Sequence, residues 1–95
     1  MYIPETRDEL KELVDDLSIN LGDIDTSLIT NMRGLFLDTT RTDFSGIENW
    51  DVSSVDDMNW MFYNAENFNQ PLNNWDVSRV TDMNSMFRGA KNFNQ

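Results

Sequence analysis

The apolar positions of the chain follow two patterns, one near its start and one that recurs. Leu10, Leu13, Val14 and Leu17 stand at i, i+3, i+4 and i+7, the stripe of an amphipathic helix. Pro4 lies ahead of them, and Thr6 with Glu9 has the spacing of a capping box. The pattern predicts a helix over residues 4–17, with Glu5, Asp8, Glu9, Lys11, Glu12, Asp15 and Asp16 on its other faces. Further on, Val80, Met83, Met86, Phe87 and Ala90 fall at 0, 3, 6, 7 and 10, and Val55, Met58, Met61, Phe62 and Ala65 repeat that order. Taken as one helical face, each set predicts a short helix, with Ser53 and Ser78 as N-caps. Phe68 to Leu72 predicts a short extended piece, followed by a turn through Asn73, Asn74, Trp75 and Asp76.

The recurrence is a true repeat. WDVSSVDDMNWMFYNAENFNQ (Trp50 to Gln70) returns 25 residues later as WDVSRVTDMNSMFRGAKNFNQ (Trp75 to Gln95), identical at 15 of 21 positions. IDTSLITNMRGLF (Ile24 to Phe36) is a degenerate earlier copy, followed by a longer loop, LDTTRTD. A period of this length marks a stacked array, since one such unit cannot bury its apolar face alone. The expected fold class is an α/β repeat solenoid, leucine-rich-repeat-like: an N-terminal capping helix, then about three strand–turn–short-helix units with a short parallel sheet. The expected organisation is a capping helix over residues 1–18, a degenerate first repeat over 19–46, a second over 47–71 and a third over 72–95 without a C-terminal cap.

Stacking sets equivalent side chains above one another. It predicts columns of Phe36, Phe62 and Phe87, and of Phe44, Phe68 and Phe93, with Trp50 and Trp75 packed under Ile24 and Met32, Met58 and Met83 filling gaps. Asn67 with Asn92, Asn69 with Asn94, and Asn49 with Asn74 are expected to form ladders. Asp25, Asp51 and Asp76 make a carboxylate column whose expected role is turn capping, because stacked like charges need backbone N–H partners.

Composition narrows the chemistry. Ninety-five residues make one small domain, with no cysteine for a disulfide or thiolate and no histidine as general base or metal ligand. A net charge of −10 repels phosphate backbones and anionic lipid, so nucleic acid is not an expected partner. No apolar run approaches the roughly 20 residues of a membrane span, so no membrane insertion is expected, and MYIPETRDEL does not read as a signal peptide. Asp23, Asp25, Asp56 and Asp57 offer oxygens for calcium, an alternative weakened by the lack of a D-x-[DN]-x-[DN]-G loop. No catalytic, cofactor-binding or metal-ligating set is expected, and the chain reads as a non-enzymatic scaffold for protein–protein recognition. The alternative is a structural spacer or display module.

Candidate binding residues come from positions where the copies differ. Trp60 stands where the other copies have Gly34 and Ser85, and Tyr63 where the third has Arg88. Positions that accept such different residues face solvent, and exposed aromatics serve as interface anchors. Trp60, Tyr63 and Arg88 are therefore the candidate protein-binding residues. The last repeat has no cap in the sequence, so Phe87 and Phe93 are candidates for end-to-end contact in a homodimer. Lys91 aligns with Glu66, so stacking should set them side by side.

The string FNQPLNNWDVS, with the following VTDM, MF and NFNQ, resembles a bacterial surface-protein repeat of similar length. That repeat is the domain of unknown function first noted in Mycoplasma lipoproteins, grouped with BspA-like leucine-rich repeats. The resemblance covers roughly residues 19–95. It implies one short parallel strand and one short helix per unit, a role in surface display, adhesion or protein recognition, and a cell-surface or secreted location. It brings no catalytic residues and no cofactor.

Overall fold

The computed structural model describes residues 1–95. The first apolar stripe forms helix α1, Arg7–Asp15, started by the expected capping box. Thr6 Oγ1 accepts from the Glu9 N–H at 3.2 Å, and Glu9 Oε1 accepts from the Thr6 N–H at 3.1 Å. Leu10 and Val14 are buried in the main core, while Leu17 lies past the helix end and is 56% exposed. The helix is thus shorter than its sequence stripe. Its role as a cover is visible at Arg7, whose Nε donates to the Arg33 carbonyl of the first repeat at 3.0 Å. Tyr2 adds a parallel bridge to Ile24.

Beyond α1 the regular elements are two single 3₁₀ turns, Leu21–Asp23 and Ile47–Asn49. The units nevertheless stack in the expected register. Phe36 and Phe62 lie 5.4 Å apart with rings 3° from parallel, and Phe62 and Phe87 repeat this at 5.5 Å and 3°. Phe44 meets Phe68 edge-on at 5.1 Å, and Phe68 stacks on Phe93 at 5.4 Å. The Trp50 indole N–H donates to the Leu21 carbonyl at 2.8 Å, and Trp75 does the same one unit on, to Ile47 at 3.0 Å.

The expected unit, however, is wrong. The chain forms no short helix per repeat and no parallel sheet, only isolated parallel bridges at Asn31–Asp57 and Asp57–Asp82. The leucine-rich-repeat-like solenoid of strand, turn and helix is therefore corrected to a pile of tight turns. The backbone bonds give the reason. The N–H groups of Met32, Gly34, Phe36 and Asp38 donate to the carbonyls of Asp57, Asn59, Met61 and Tyr63 at 2.8–2.9 Å. Those of Met58, Trp60, Phe62 and Asn64 donate to Asp82, Asn84, Met86 and Arg88 at 2.8–3.0 Å. Intervening N–H groups fold back three residues, as from Leu35 to Met32, Met61 to Met58 and Met86 to Met83. A helix would use all these donors within one segment at i−4.

Left-handed residues enforce the pattern. Gly34, Trp60 and Ser85 share one column with φ of 59°, 57° and 52°, and Asp38, Asn64 and Gly89 share another with φ of 55°, 55° and 76°. Each stands third in a turn closed by an i→i+3 bond, where a type II turn requires positive φ. A left-handed residue twice per unit ends any α-helix before it completes a turn.

Asp-x-Ser turns join the pieces. Asp16, Asp43 and Asp51 each accept from the hydroxyl (2.6 Å) and the N–H (3.0 Å) of the serine two residues on. Asp25 and Asp76 accept the corresponding N–H of Ser27 and Ser78 at 2.9 and 3.0 Å. The carboxylate column thus caps turns, as expected, though no helix follows it. The serine hydroxyl, then the serine amide, holds the Asp51 carboxyl below its ordinary value; desolvation, then the neighbouring Asp25 and Asp76 charges, push it up by less. Asp16 and Asp43 are lowered by the same two bonds.

A folded pKa below the unfolded one adds stability that is complete above the ordinary aspartate value, about 3.9, and is lost as pH falls through the folded value. Ser53→Ala should therefore lower the melting temperature near neutral pH. The gap from the parent should close as pH is taken below about 4. Melting curves of both proteins from about pH 7 to pH 2 test this. A gap independent of pH would mean that the serine acts by packing alone.

Arg41 was not singled out by its sequence. It is 3% exposed and sits in the longer loop of the first repeat. Its Nη2 donates to the carbonyls of Val14 and Asp16, both at 3.0 Å, and its Nη1 to those of Ile19 and Asp43 at 3.2 and 3.3 Å. Its Nε also reaches Val14 O, at 3.3 Å. One guanidinium thereby ties the end of α1 to the first repeat.

Candidate interaction surface

The turn ladder fixes where the candidate side chains point. Trp60 occupies a left-handed position that favours glycine or asparagine, and a bulky residue there is an outlier. Holding it costs roughly 1–2 kcal/mol. The residue is 42% exposed, and its ring leans toward the first repeat, where the Arg33 guanidinium carbon lies 4.9 Å from the ring centre. Such an exposed cation–π contact contributes about 0.5–1 kcal/mol, and so offsets only part of the strain.

Leu37, Asp38, Trp60 and Tyr63 line a shallow cleft on this side of the stack. Leu37 is 37% exposed and Tyr63 half-buried. Trp60 and Tyr63 are therefore brought together, on neighbouring turns of one unit. Arg88 is exposed but does not line the cleft. It belongs to the column of Leu37 and Tyr63, one level further on, where Asn64 N–H donates to its carbonyl. Leu37 and Arg33 were missed from the sequence. The signal was present for Leu37, which aligns with Tyr63 and Arg88 at the same variable position.

Phe87 and Phe93 stack on each other at 4.3 Å and are half-buried at the far end of the pile. Lys91 and Glu66 lie side by side at 3.6 Å, both largely exposed, a pair that contributes little. Of the expected asparagine ladders only Asn69–Asn94 forms a bond, from the Asn94 N–H to Asn69 Oδ1 at 2.9 Å. Two others were not foreseen: Asn59 Oδ1 accepts from Asn84 N–H at 2.8 Å, and Asn64 Nδ2 donates to Asp38 at 2.9 Å. No helix is long and apolar enough to cross a membrane.

These features define the class: a small acidic protein of stacked turn units, with an aromatic cleft on one side. The sequence family described as "Mycoplasma protein of unknown function, DUF285" matches residues 8–95, and the chain belongs to that family. The match supports the Mycoplasma part of the resemblance and leaves the grouping with BspA-like leucine-rich repeats unconfirmed. No curated protein and no solved structure matches the chain.

Proposed function

We propose that the chain is a non-enzymatic recognition module that binds a protein partner through the cleft of Leu37, Trp60 and Tyr63. The observation that carries this reading is the conformation of Trp60. A tryptophan kept at a left-handed position, where its equivalents are Gly34 and Ser85, and left 42% exposed, costs the fold stability. Strained residues of this kind gather at binding sites. Clustered exposed aromatics are also the composition of interface hot spots. The display or adhesion role implied by the surface-repeat resemblance fits such a surface and is part of the same proposal.

The test compares two truncations of the same side chain. Trp60→Gly should be more stable than Trp60→Ala by about 1 kcal/mol, because glycine adopts positive φ without strain. Both should lose, to the same extent, the proteins that the parent captures from bacterial and host lysates. Capture unchanged by either substitution would remove Trp60 from the interface. Capture that fell in step with stability would mean the tryptophan acts through the fold. A parent that captured nothing would favour the spacer reading.

A further inference from the structure

The aromatic cleft offers hydrogen-bond donors as well as apolar surface. Trp50 and Trp75 commit their indole N–H groups to the carbonyls of Leu21 and Ile47. The Trp60 indole N–H makes no bond within the chain, and neither does the Tyr63 hydroxyl, so both stay available at the cleft. The backbone around them is closed. The N–H groups of Leu37, Asp38, Trp60 and Tyr63 donate to the carbonyls of Gly34, Tyr63, Asn84 and Trp60, which also occupies the carbonyls of the two aromatic residues. Asp38 is the one charged residue in the lining. Its carboxylate accepts from Asn64 Nδ2 at 2.9 Å and pairs with no cation of the chain.

These groups restrict the occupant. A strand added at an edge needs backbone donors and acceptors in alternation, and those of Trp60 and Tyr63 are all taken. An amphipathic helix needs a groove long enough for anchors at i, i+3, i+4 and i+7, whereas the apolar floor here is three side chains, Leu37, Trp60 and Tyr63. A polyproline II segment meets the same groups well. Proline brings no N–H that would need an acceptor. This helix has no internal hydrogen bonds, so its carbonyls are free to accept from the Trp60 and Tyr63 side chains. Proline rings also lie well against aromatic-lined grooves. An unpaired carboxylate beside them calls for a cationic side chain, which the net charge of −10 also favours at longer range.

We propose that the partner segment held in this cleft is a proline-rich stretch in the polyproline II form, flanked by an arginine or lysine. Its prolines cover Leu37, Trp60 and Tyr63. Their carbonyls accept from the Trp60 indole N–H and the Tyr63 hydroxyl, and the basic side chain pairs with Asp38. This rests on the protein-recognition reading above and names the chemistry of its partner.

The test titrates the full ¹⁵N-labelled chain with an acetylated synthetic peptide of one arginine followed by about eight prolines. The Trp60 indole N–H resonance should move downfield with a Kd below about 1 mM. Those of Trp50 and Trp75, already bonded, should stay in place. A flexible peptide with glycine and serine in place of proline should bind at least about tenfold more weakly, because binding must order it. Replacing the peptide's arginine by glutamate should weaken binding about threefold or more. Asp38→Asn, which keeps a residue that tolerates positive φ, should remove that preference and leave proline binding in place. No movement of the Trp60 resonance at about 10 mM peptide would overturn the proposal, as would equal binding of the glycine–serine peptide. So would a preference for arginine that survives Asp38→Asn. Lysate capture separates the two readings. Capture that depends on Trp60 while the proline peptide fails overturns this inference alone, and capture indifferent to Trp60 removes the reading on which it rests.

Discussion

Replacing Arg41 by methionine is expected to destabilise the chain by about 3–5 kcal/mol, a large part of the roughly 5–15 kcal/mol that holds a domain this size folded. Methionine matches the length and apolar stem of arginine, so the loss falls on the donors. The carbonyls of Val14, Asp16, Ile19 and Asp43 all lose a charged partner. A buried acceptor left unpaired costs about 1–3 kcal/mol, and hydrogen bonds from charged groups lie at the strong end of the range. Val14 and Asp16 carry the last carbonyls of α1, where a cation is favoured by the helix dipole. The last turn of α1 has no basic residue of its own, so Arg41 supplies that charge from another part of the chain. Burial lowers the pKa of Arg41, and the Asp43 and Asp16 carboxylates raise it in return. A guanidinium in that setting remains charged. Arg41→Lys should recover less than half of the loss, since one ammonium lacks the planar fork that reaches four carbonyls in different directions. At about 4–8 °C per kcal/mol, the methionine variant should melt at least about 12 °C lower. Amide exchange should show α1 opening first. A loss below about 1 kcal/mol, or a lysine variant as stable as the parent, would mean that water satisfies these carbonyls as well.

Arg41 also shows where the sequence stops being readable. It lies in a loop that is longer than its counterparts in the other units, so no column of equivalent residues pointed to it. What could be read was what repeats. The two phenylalanine columns, the Asp25–Asp51–Asp76 turn caps and the capping box of α1 all follow from alignment or spacing, and all are present. The same alignment led to an incorrect unit. The helical reading rested on Val55, Met58, Met61, Phe62 and Ala65, which do fall on one side of a helix, but Val52 continues the spacing of three ahead of them. Over the nine residues from Val52 to Met61, however, an α-helix turns through about 900°, which leaves the two ends on opposite sides. Both are buried, at 1% and 0%. A strict period of three fits bonds that close at i−3, as they do from Val55 to Val52 and from Met61 to Met58. The second overlooked sign was the triple Asp38, Asn64 and Gly89, the residue types that best tolerate a left-handed backbone. In the other column the sign was masked, because Gly34 and Ser85 flank a tryptophan. That mismatch made Trp60 look exposed, which it is, without showing that its backbone was strained.

Glycine at position 46 carries the second large effect. Gly46→Ala is expected to cost about 3 kcal/mol, the sum of a strained backbone and a steric clash. Gly46 has φ of 96° and precedes the 3₁₀ turn Ile47–Asn49. An added Cβ would lie 2.5 Å from the Gly22 nitrogen and 2.6 Å from its Cα. Both atoms are backbone, and Gly22 is itself fixed, with its N–H on Asn20 Oδ1 at 2.7 Å. The first unit must therefore move away from the second. Gly89→Ala is the control. It also has positive φ, at 76°, and its Cβ would come even closer to a neighbour, 2.0 Å from Asn64 Oδ1. That neighbour is the end of an exposed side chain, which can rotate at the cost of its bond to Asp38. Gly89→Ala should therefore cost about 1–2 kcal/mol, little more than the strain itself. The movement at Gly46 has its own marker. Leu21, next to Gly22, accepts from the Trp50 indole. Gly46→Ala should shift the indole resonance of Trp50 and leave that of Trp60, on the side of the pile, in place. Equal destabilisation by the two substitutions would mean that the backbone contact between Gly22 and Gly46 relaxes as readily as a side chain does.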